Sequence, residues 1–160
     1  MCFCSVLNKV GKIKISKLFL KLKNDINQYQ SFIKPSDLVR NDPVQNMMSE
    51  FNLENYNKLI NSKFTGNDYE IDEKLLEDFK SSIDNYFNLY APDDEEFKEF
   101  IKIISIYLTF IEKKPLHPLG IVFSGGYTVY QIGNSYYCSG KKFFIKEDKS
   151  LCNYCVCKDI

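Results

Sequence analysis

Arginine and alanine each occur once in these 160 residues, at Arg40 and Ala91, and His117 is the only histidine. Lysine, asparagine and isoleucine abound instead, the drift of an AT-rich genome. One arginine leaves little capacity for bidentate grips on phosphates or base edges, so the lysines alone are weak support for nucleic-acid recognition. One histidine leaves little room for histidine-based general acid–base chemistry, and no Ser/His or Cys/His hydrolase signature accompanies it. The N-terminus has no continuous apolar stretch followed by a small-residue cleavage site, so no secretory signal is expected. The most apolar run, Phe100 to Ile111, is too short for a membrane span and contains Lys102. These absences predict a cytoplasmic protein with no membrane association. In that compartment thiols stay reduced, and metal binding outranks disulfides as the role of the six cysteines.

A core is well supplied. Hydrophobic residues make up 44% of the chain, including 13 phenylalanines and 11 tyrosines, so global disorder is excluded. The formal net charge is zero but unevenly placed. Counting residue by residue, 1–40 carry eight basic and two acidic side chains, 41–99 five and fifteen, and 100–160 eight and four. Segments of opposite sign neutralising each other across an interface explain this better than an acidic or nucleic-acid partner does.

The first two-thirds carry helical periodicity. Ile15, Phe19, Leu22, Ile26, Tyr29 and Ile33 alternate spacings of four and three, a single buried stripe that Pro35 ends. Asp42 before Pro43 has the form of an N-cap with proline at the first helical position. The helix that follows carries Val44, Met48, Phe51, Tyr56, Leu59 and Ile60, with a bend expected near Asn52. Residues Asn61 to Tyr69 read as a loop. Asp72 opens a third helix with Leu75, Leu76, Phe79, Ile83, Phe87 and Tyr90 facing inward. The acidic group Asp93 to Glu96 then favours the positive end of a fourth helix dipole. Apolar residues cover much of that helix, from Phe97 to Ile111, so it should be the most buried.

Beyond Lys114 the pattern changes. Pro115, Pro118, Gly120, Gly125 and Gly126 end the helical periodicity, and Ser124-Gly125-Gly126 reads as a turn rather than a phosphate loop. Tyr127 to Ile132 and Tyr136-Tyr137 are rich in β-formers around Gly133-Asn134, a two-residue hairpin turn. Phe143-Phe144-Ile145 is a candidate third strand. The expected architecture is mainly α: a bundle of about four helices over residues 1–114, with a small metal-stapled β-hairpin element over 115–160.

Cys152-Asn153-Tyr154-Cys155 is a C-x2-C, the tight turn that offers two sulfurs to one ion, and Cys157 adds a thiol two residues on. Cys138 ends the hairpin, and His117 follows the last helix. Zinc takes four such ligands in a tetrahedron, so the proposed set is His117, Cys138, Cys152 and Cys155, with Cys157 as alternative ligand to the histidine. An element this poor in aliphatic side chains usually needs a metal to fold. Four sulfurs would also suit an iron–sulfur cluster, although C-x2-C-x-C is not the usual ferredoxin spacing. Four protein ligands close a zinc site, which favours structural over catalytic use. Cys2 and Cys4 read as incidental thiols near a chain end.

Lys113-Lys114-Pro115-Leu116-His117-Pro118, Gly120, Phe123, Gly125-Gly126, Tyr136-Tyr137-Cys138, Leu151-Cys152 and Cys155-Val156 together resemble an uncharacterised protein family of methanogenic archaea, a domain of unknown function. The resemblance is most specific over residues 113–157 and implies an anaerobic, archaeal, cytoplasmic setting with no known activity. It implies a recurring histidine and three cysteines at His117, Cys138, Cys152 and Cys155. Cys157 lies outside that pattern, and Ser139-Gly140 stands where the family pattern has a proline. The leading expectation is a non-enzymatic binding or adaptor protein, a protein partner being favoured over nucleic acid. The alternatives are a nucleic-acid-binding module using Tyr127, Tyr130, Tyr136, Tyr137 and Phe143 beside Lys141, Lys142 and Lys146, and a thiol or iron–sulfur redox protein.

Overall fold

A computed structural model describes residues 11–32, 42–147 and 150–160. Ile33, Pro35, Arg40, Cys2 and Cys4, all named above, lie outside the described residues. The chain is mainly helical, with two small two-stranded antiparallel sheets.

Strand β1 (Lys12–Lys14) leads directly into helix α1 (Ile15–Ile26), whose Ile15, Leu18, Phe19, Leu22 and Ile26 are buried. A 3-10 segment, Asn27–Phe32, continues it with an irregular backbone at Tyr29. Helix α2 (Pro43–Asn61) begins as its sequence predicts: the Asp42 side chain accepts from the Val44 N–H at 2.9 Å, and Pro43 occupies the first turn. The helix is uninterrupted at Asn52. Its two halves serve different cores. Tyr56 and Leu59 enter the main helical core, whereas Val44, Met47 and Met48 pack on a smaller cluster formed by the tail.

Strand β2 (Glu70–Asp72) pairs with β1, an element the periodicity does not reveal. The register sets Lys12 opposite Asp72 and Lys14 opposite Glu70, with Ile13 opposite Ile71. Cross-strand pairs of opposite charge stabilise such a ladder by a few tenths of a kcal/mol to about 1 kcal/mol each. The basic first segment and the acidic middle segment therefore meet here. Asp68 reinforces the junction, accepting from both the backbone N–H and the hydroxyl of Ser16 at 3.0 and 2.6 Å.

Helix α3 (Glu73–Tyr90) buries Leu76, Phe79, Ile83 and Phe87. Leu75 and Tyr90, expected inside, are 43% and 70% exposed, Leu75 because it falls at the edge of that four-residue stripe and Tyr90 because it is the last residue of the helix. Helix α4 (Glu95–Ile106) starts with the Asp94 carboxylate accepting from the Phe97 N–H at 3.2 Å. Glu95 and Glu96 follow in its first turn, as the dipole favours. Its last stretch, Tyr107–Glu112, is a π turn, and Lys113 closes it in the left-handed region at φ 52°. Both Lys113 and Lys114 direct their N–H groups at the Leu108 carbonyl, and Pro115 prevents continuation. The wider turn brings Tyr107, Leu108, Thr109 and Phe110 all into the core, so this is the most buried helical stretch.

Thr109 brings a buried hydroxyl with no hydrogen-bond partner among the described residues. Thr109→Val should therefore raise folding stability by about 1 kcal/mol, since the lone polar atom costs about that much to desolvate. Urea unfolding measures it; a loss of stability would show that the hydroxyl is bonded in solution.

In the tail, β3 (Val129–Ile132) and β4 (Ser135–Cys138) form the expected hairpin around Gly133-Asn134. Gly133 takes φ 59° at the first turn position, the II′ arrangement that matches strand twist. A second tight turn returns Phe123 to Tyr127, with the Gly126 N–H on the Phe123 carbonyl, so Ser124-Gly125-Gly126 is a turn. Phe143-Phe144 is not a strand. Lys141–Phe144 forms a single helical turn, α5, whose Ile145 N–H returns to the Lys141 carbonyl. No described helix is long and apolar enough to cross a membrane.

Candidate metal centre

Three local structures bring the cysteines of the tail together. Cys138 ends β4, opposite Val129. The segment at Lys158 runs parallel to β4: Cys138 donates to the Lys158 carbonyl at 3.0 Å, and Lys158 donates to the Tyr136 carbonyl at 2.8 Å. That pairing sets Cys157 beside Cys138 and buries it. Cys152 lies in a 3-10 turn, Leu151–Asn153, capped by Ser150, whose hydroxyl accepts from the Cys152 N–H at 3.1 Å. The Tyr154 and Cys155 N–H groups both return to the Leu151 carbonyl, at 3.0 and 3.2 Å. Leu151 and Tyr154 then point into the helical core, which fixes the orientation of the C-x2-C turn.

The electrostatics follow this packing. The Cys155 sulfur accepts from the Cys157 thiol and from the backbone N–H groups of Cys157 and Leu116. These bonds, with the Lys141 ammonium nearby, outweigh burial and lower its pKa to about 6. Cys157 shares its proton with Cys155 and is buried, so its pKa is raised. Burial raises the pKa of Cys152 as well, against the Ser150 hydroxyl, and the charges of Cys155 and Cys138 add to the rise. Cys138 and Cys155 therefore act on both Cys152 and Cys157.

Lys141 is the residue that sequence patterning misses. Its ammonium donates to the carbonyls of Cys155 and Cys157, at 2.9 and 2.6 Å, tying α5 to the cysteine turn. Sequence alone sets it among the lysines of a candidate nucleic-acid surface, and no spacing ties it to the cysteines.

His117 is half-buried, its ring edge-on to Phe123 at 4.9 Å. Burial lowers its pKa to about 4, so the imidazole is neutral at physiological pH. Its neighbour Leu116 supplies a backbone N–H to Cys155, which keeps this segment beside the sulfurs. Among the described residues, no group of three or more His, Cys, Asp or Glu side chains is arranged to hold a metal ion as it stands.

The aromatic residues of the tail engage one another. Tyr130 stacks on Tyr137 at 5.5 Å, while Tyr127 meets Phe143 and Phe144 at 5.3 and 5.6 Å.

A family model described as an uncharacterized protein conserved in archaea, DUF2115, matches residues 14–160. A UPF0305 protein of Methanocaldococcus jannaschii is 35% identical over 162 residues, covering 92% of this chain and 98% of its own. A UPF0305 protein of Methanothermobacter thermautotrophicus is 35% identical over 104 residues, 63% of each chain. One from Methanococcus maripaludis is 34% identical over 93 residues, 58% of this chain and 56% of its own. No solved structure matches the chain.

Proposed function

The chain belongs to the archaeal DUF2115 family, and for this member we propose a structural zinc site in the tail of a non-enzymatic binding or adaptor protein. The observation that carries the proposal is the convergence of Cys138, Cys152, Cys155 and Cys157 from three separate segments. Soft sulfur donors suit zinc. Backbone N–H groups on the Cys155 sulfur favour the thiolate that a metal needs. Cys138, Cys152 and Cys155 supply three ligands. Cys157 is the better supported fourth, because its thiol already contacts Cys155. His117, a neutral nitrogen donor on the adjoining segment, is the alternative.

A closed site of this kind folds the tail and performs no chemistry itself. What it presents is apolar: Leu119, Val122, Ile132, Phe143 and Phe144 are exposed, all on the tail. Others lie on α3, at Leu75, Tyr86, Leu89 and Tyr90, and exposed apolar surface of this kind favours a protein partner. A second reading, an iron–sulfur cluster, is favoured by the same four-sulfur donor set. Visible charge-transfer absorbance of anaerobically purified protein would support it, and a colourless preparation would remove it.

The structural role predicts that a strong chelator opens the tail before the helices. Limited proteolysis should then cut beyond Lys114 roughly tenfold faster or more, with the helical fragment resistant, since folding and metal binding are linked. Cleavage unchanged by chelator would contradict it.

A further inference from the structure

A cavity of about 360 Å³ lies where α1, the 62–69 loop and the π turn meet. Its lining surface is mainly polar, and Phe64, Tyr69 and Ile111 form the accessible apolar part, Ile15 and Phe19 being almost fully buried behind them. Two features of the backbone converge on it. The π turn contributes Tyr107, Ile111 and Glu112, and such turns are frequent at functional sites. Lys113 also lines it, held in the left-handed region at φ 52° where it closes the π turn.

The polar groups have a definite sign. Glu112 is the one carboxylate in the lining, and its charge is already engaged. Its Oε1 accepts from the Tyr107 hydroxyl at 3.0 Å, and its Oε2 lies 3.9 Å from the Lys114 ammonium. The Tyr107 hydroxyl is held protonated by burial and by Glu112, and the Ser62 hydroxyl donates to it. The two cations are not neutralised in this way. Lys113 lies over the Tyr69 ring at 4.6 Å, and among the described residues neither it nor Lys63 is paired with a carboxylate. Lys63 and Lys113 thus line the cavity together with Thr65 and Asn67.

We propose that this cavity binds a small organic anion, a molecule with a flat apolar body and one carboxylate or phosphate group. The volume is at the lower end of the range for small-molecule sites, about 300–1,000 Å³, so one aromatic ring with its charged group fits within it. The ring meets Phe64 and Tyr69, and the charged group meets Lys63 and Lys113.

Phenyl phosphate is the test probe and benzyl alcohol its uncharged counterpart, each titrated into the isotope-labelled full chain and followed by amide NMR shifts. Saturable shifts at residues 15–19, 62–69 and 107–113 are expected with phenyl phosphate, and much weaker ones with benzyl alcohol. Replacing both cations, by Lys63→Gln with Lys113→Gln, should weaken binding about tenfold or more, the equivalent of one lost charge contact. Lys63→Arg with Lys113→Arg should retain it. Shifts that never saturate, shifts centred elsewhere, equal response to benzyl alcohol, or affinity unchanged in the double glutamine variant would each overturn the proposal. Metal content is not read in this experiment, so its outcome is independent of the cysteine site.

Discussion

Phe79→Ala should lower folding stability by about 3–5 kcal/mol, the usual cost of removing a fully buried phenylalanine. Phe79 has no exposed surface and sits at the centre of three elements. Its ring meets Phe110 of the π turn edge-on at 5.4 Å and Tyr154 of the tail at 5.0 Å. Each such aromatic pair adds about 0.5–1.5 kcal/mol to the area buried. Domains of this size are stable by only about 5–15 kcal/mol, so the substitution removes a large share. Phe79→Leu keeps most of the apolar volume and loses the ring contacts, so about 1–2 kcal/mol is expected. Urea unfolding of the two variants gives both figures. A loss below about 1 kcal/mol for Phe79→Ala would mean that Tyr154 does not dock on α3, since core truncations without cavity cost that little only at loose sites.

The second large effect belongs to Lys141. Lys141→Met keeps the aliphatic stem but leaves the carbonyls of Cys155 and Cys157 without their charged donor. Hydrogen bonds to a charged group contribute about 1.5–3 kcal/mol each, and two on one ammonium are not additive, so the tail should lose about 2–4 kcal/mol. The charge matters separately. Four thiolates on a divalent ion leave a net negative centre, and the ammonium offsets part of it. Loss of groups that support metal ligands typically costs about 10–100-fold in affinity, and that range is expected here. Competition against a chromophoric chelator measures it. Unchanged zinc affinity in Lys141→Met would place the lysine outside the metal's surroundings.

The helices were legible where one signal decided each of them. Asp42-Pro43 marks the start of α2 because a short carboxylate and a missing N–H fit only that position. The stripe Leu76, Phe79, Ile83 and Phe87 needs nothing beyond helical spacing. Gly133-Asn134 between two β-rich runs is likewise a local signal, and the hairpin forms there. The β1–β2 ladder was not legible. Each strand has three residues, they lie far apart in sequence, and only opposite charges at Lys12, Lys14, Glu70 and Asp72 mark the register. Tyr107 keeps helical spacing from Phe100 and Ile104, whereas the burial of Thr109 was not legible, because the π turn carries the inward face out of the 3.6-residue period. Phe143 and Phe144 are β-formers by type, yet Lys141 must reach two carbonyls of the cysteine turn, and a helical turn accomplishes that.

The cysteines were legible as a group and less so as a geometry. C-x2-C spacing implies a tight turn, and Leu151–Asn153 provides it. The proximity of Cys157 to Cys138 depends on the backbone pairing of Lys158 with β4, which no spacing reveals. The place of a lone histidine cannot be read from spacing either. Phe123 is what its ring meets.

Elemental analysis of anaerobically purified protein, repeated on Cys155→Ser and His117→Ala, tests the central claim most directly. The account predicts one zinc ion per chain in the natural sequence and in His117→Ala, and its loss in Cys155→Ser, because Cys157 completes the sulfur set. Zinc lost in His117→Ala alone would return the histidine to the fourth position. A natural protein without metal, or zinc retained in full by Cys155→Ser, would contradict the account.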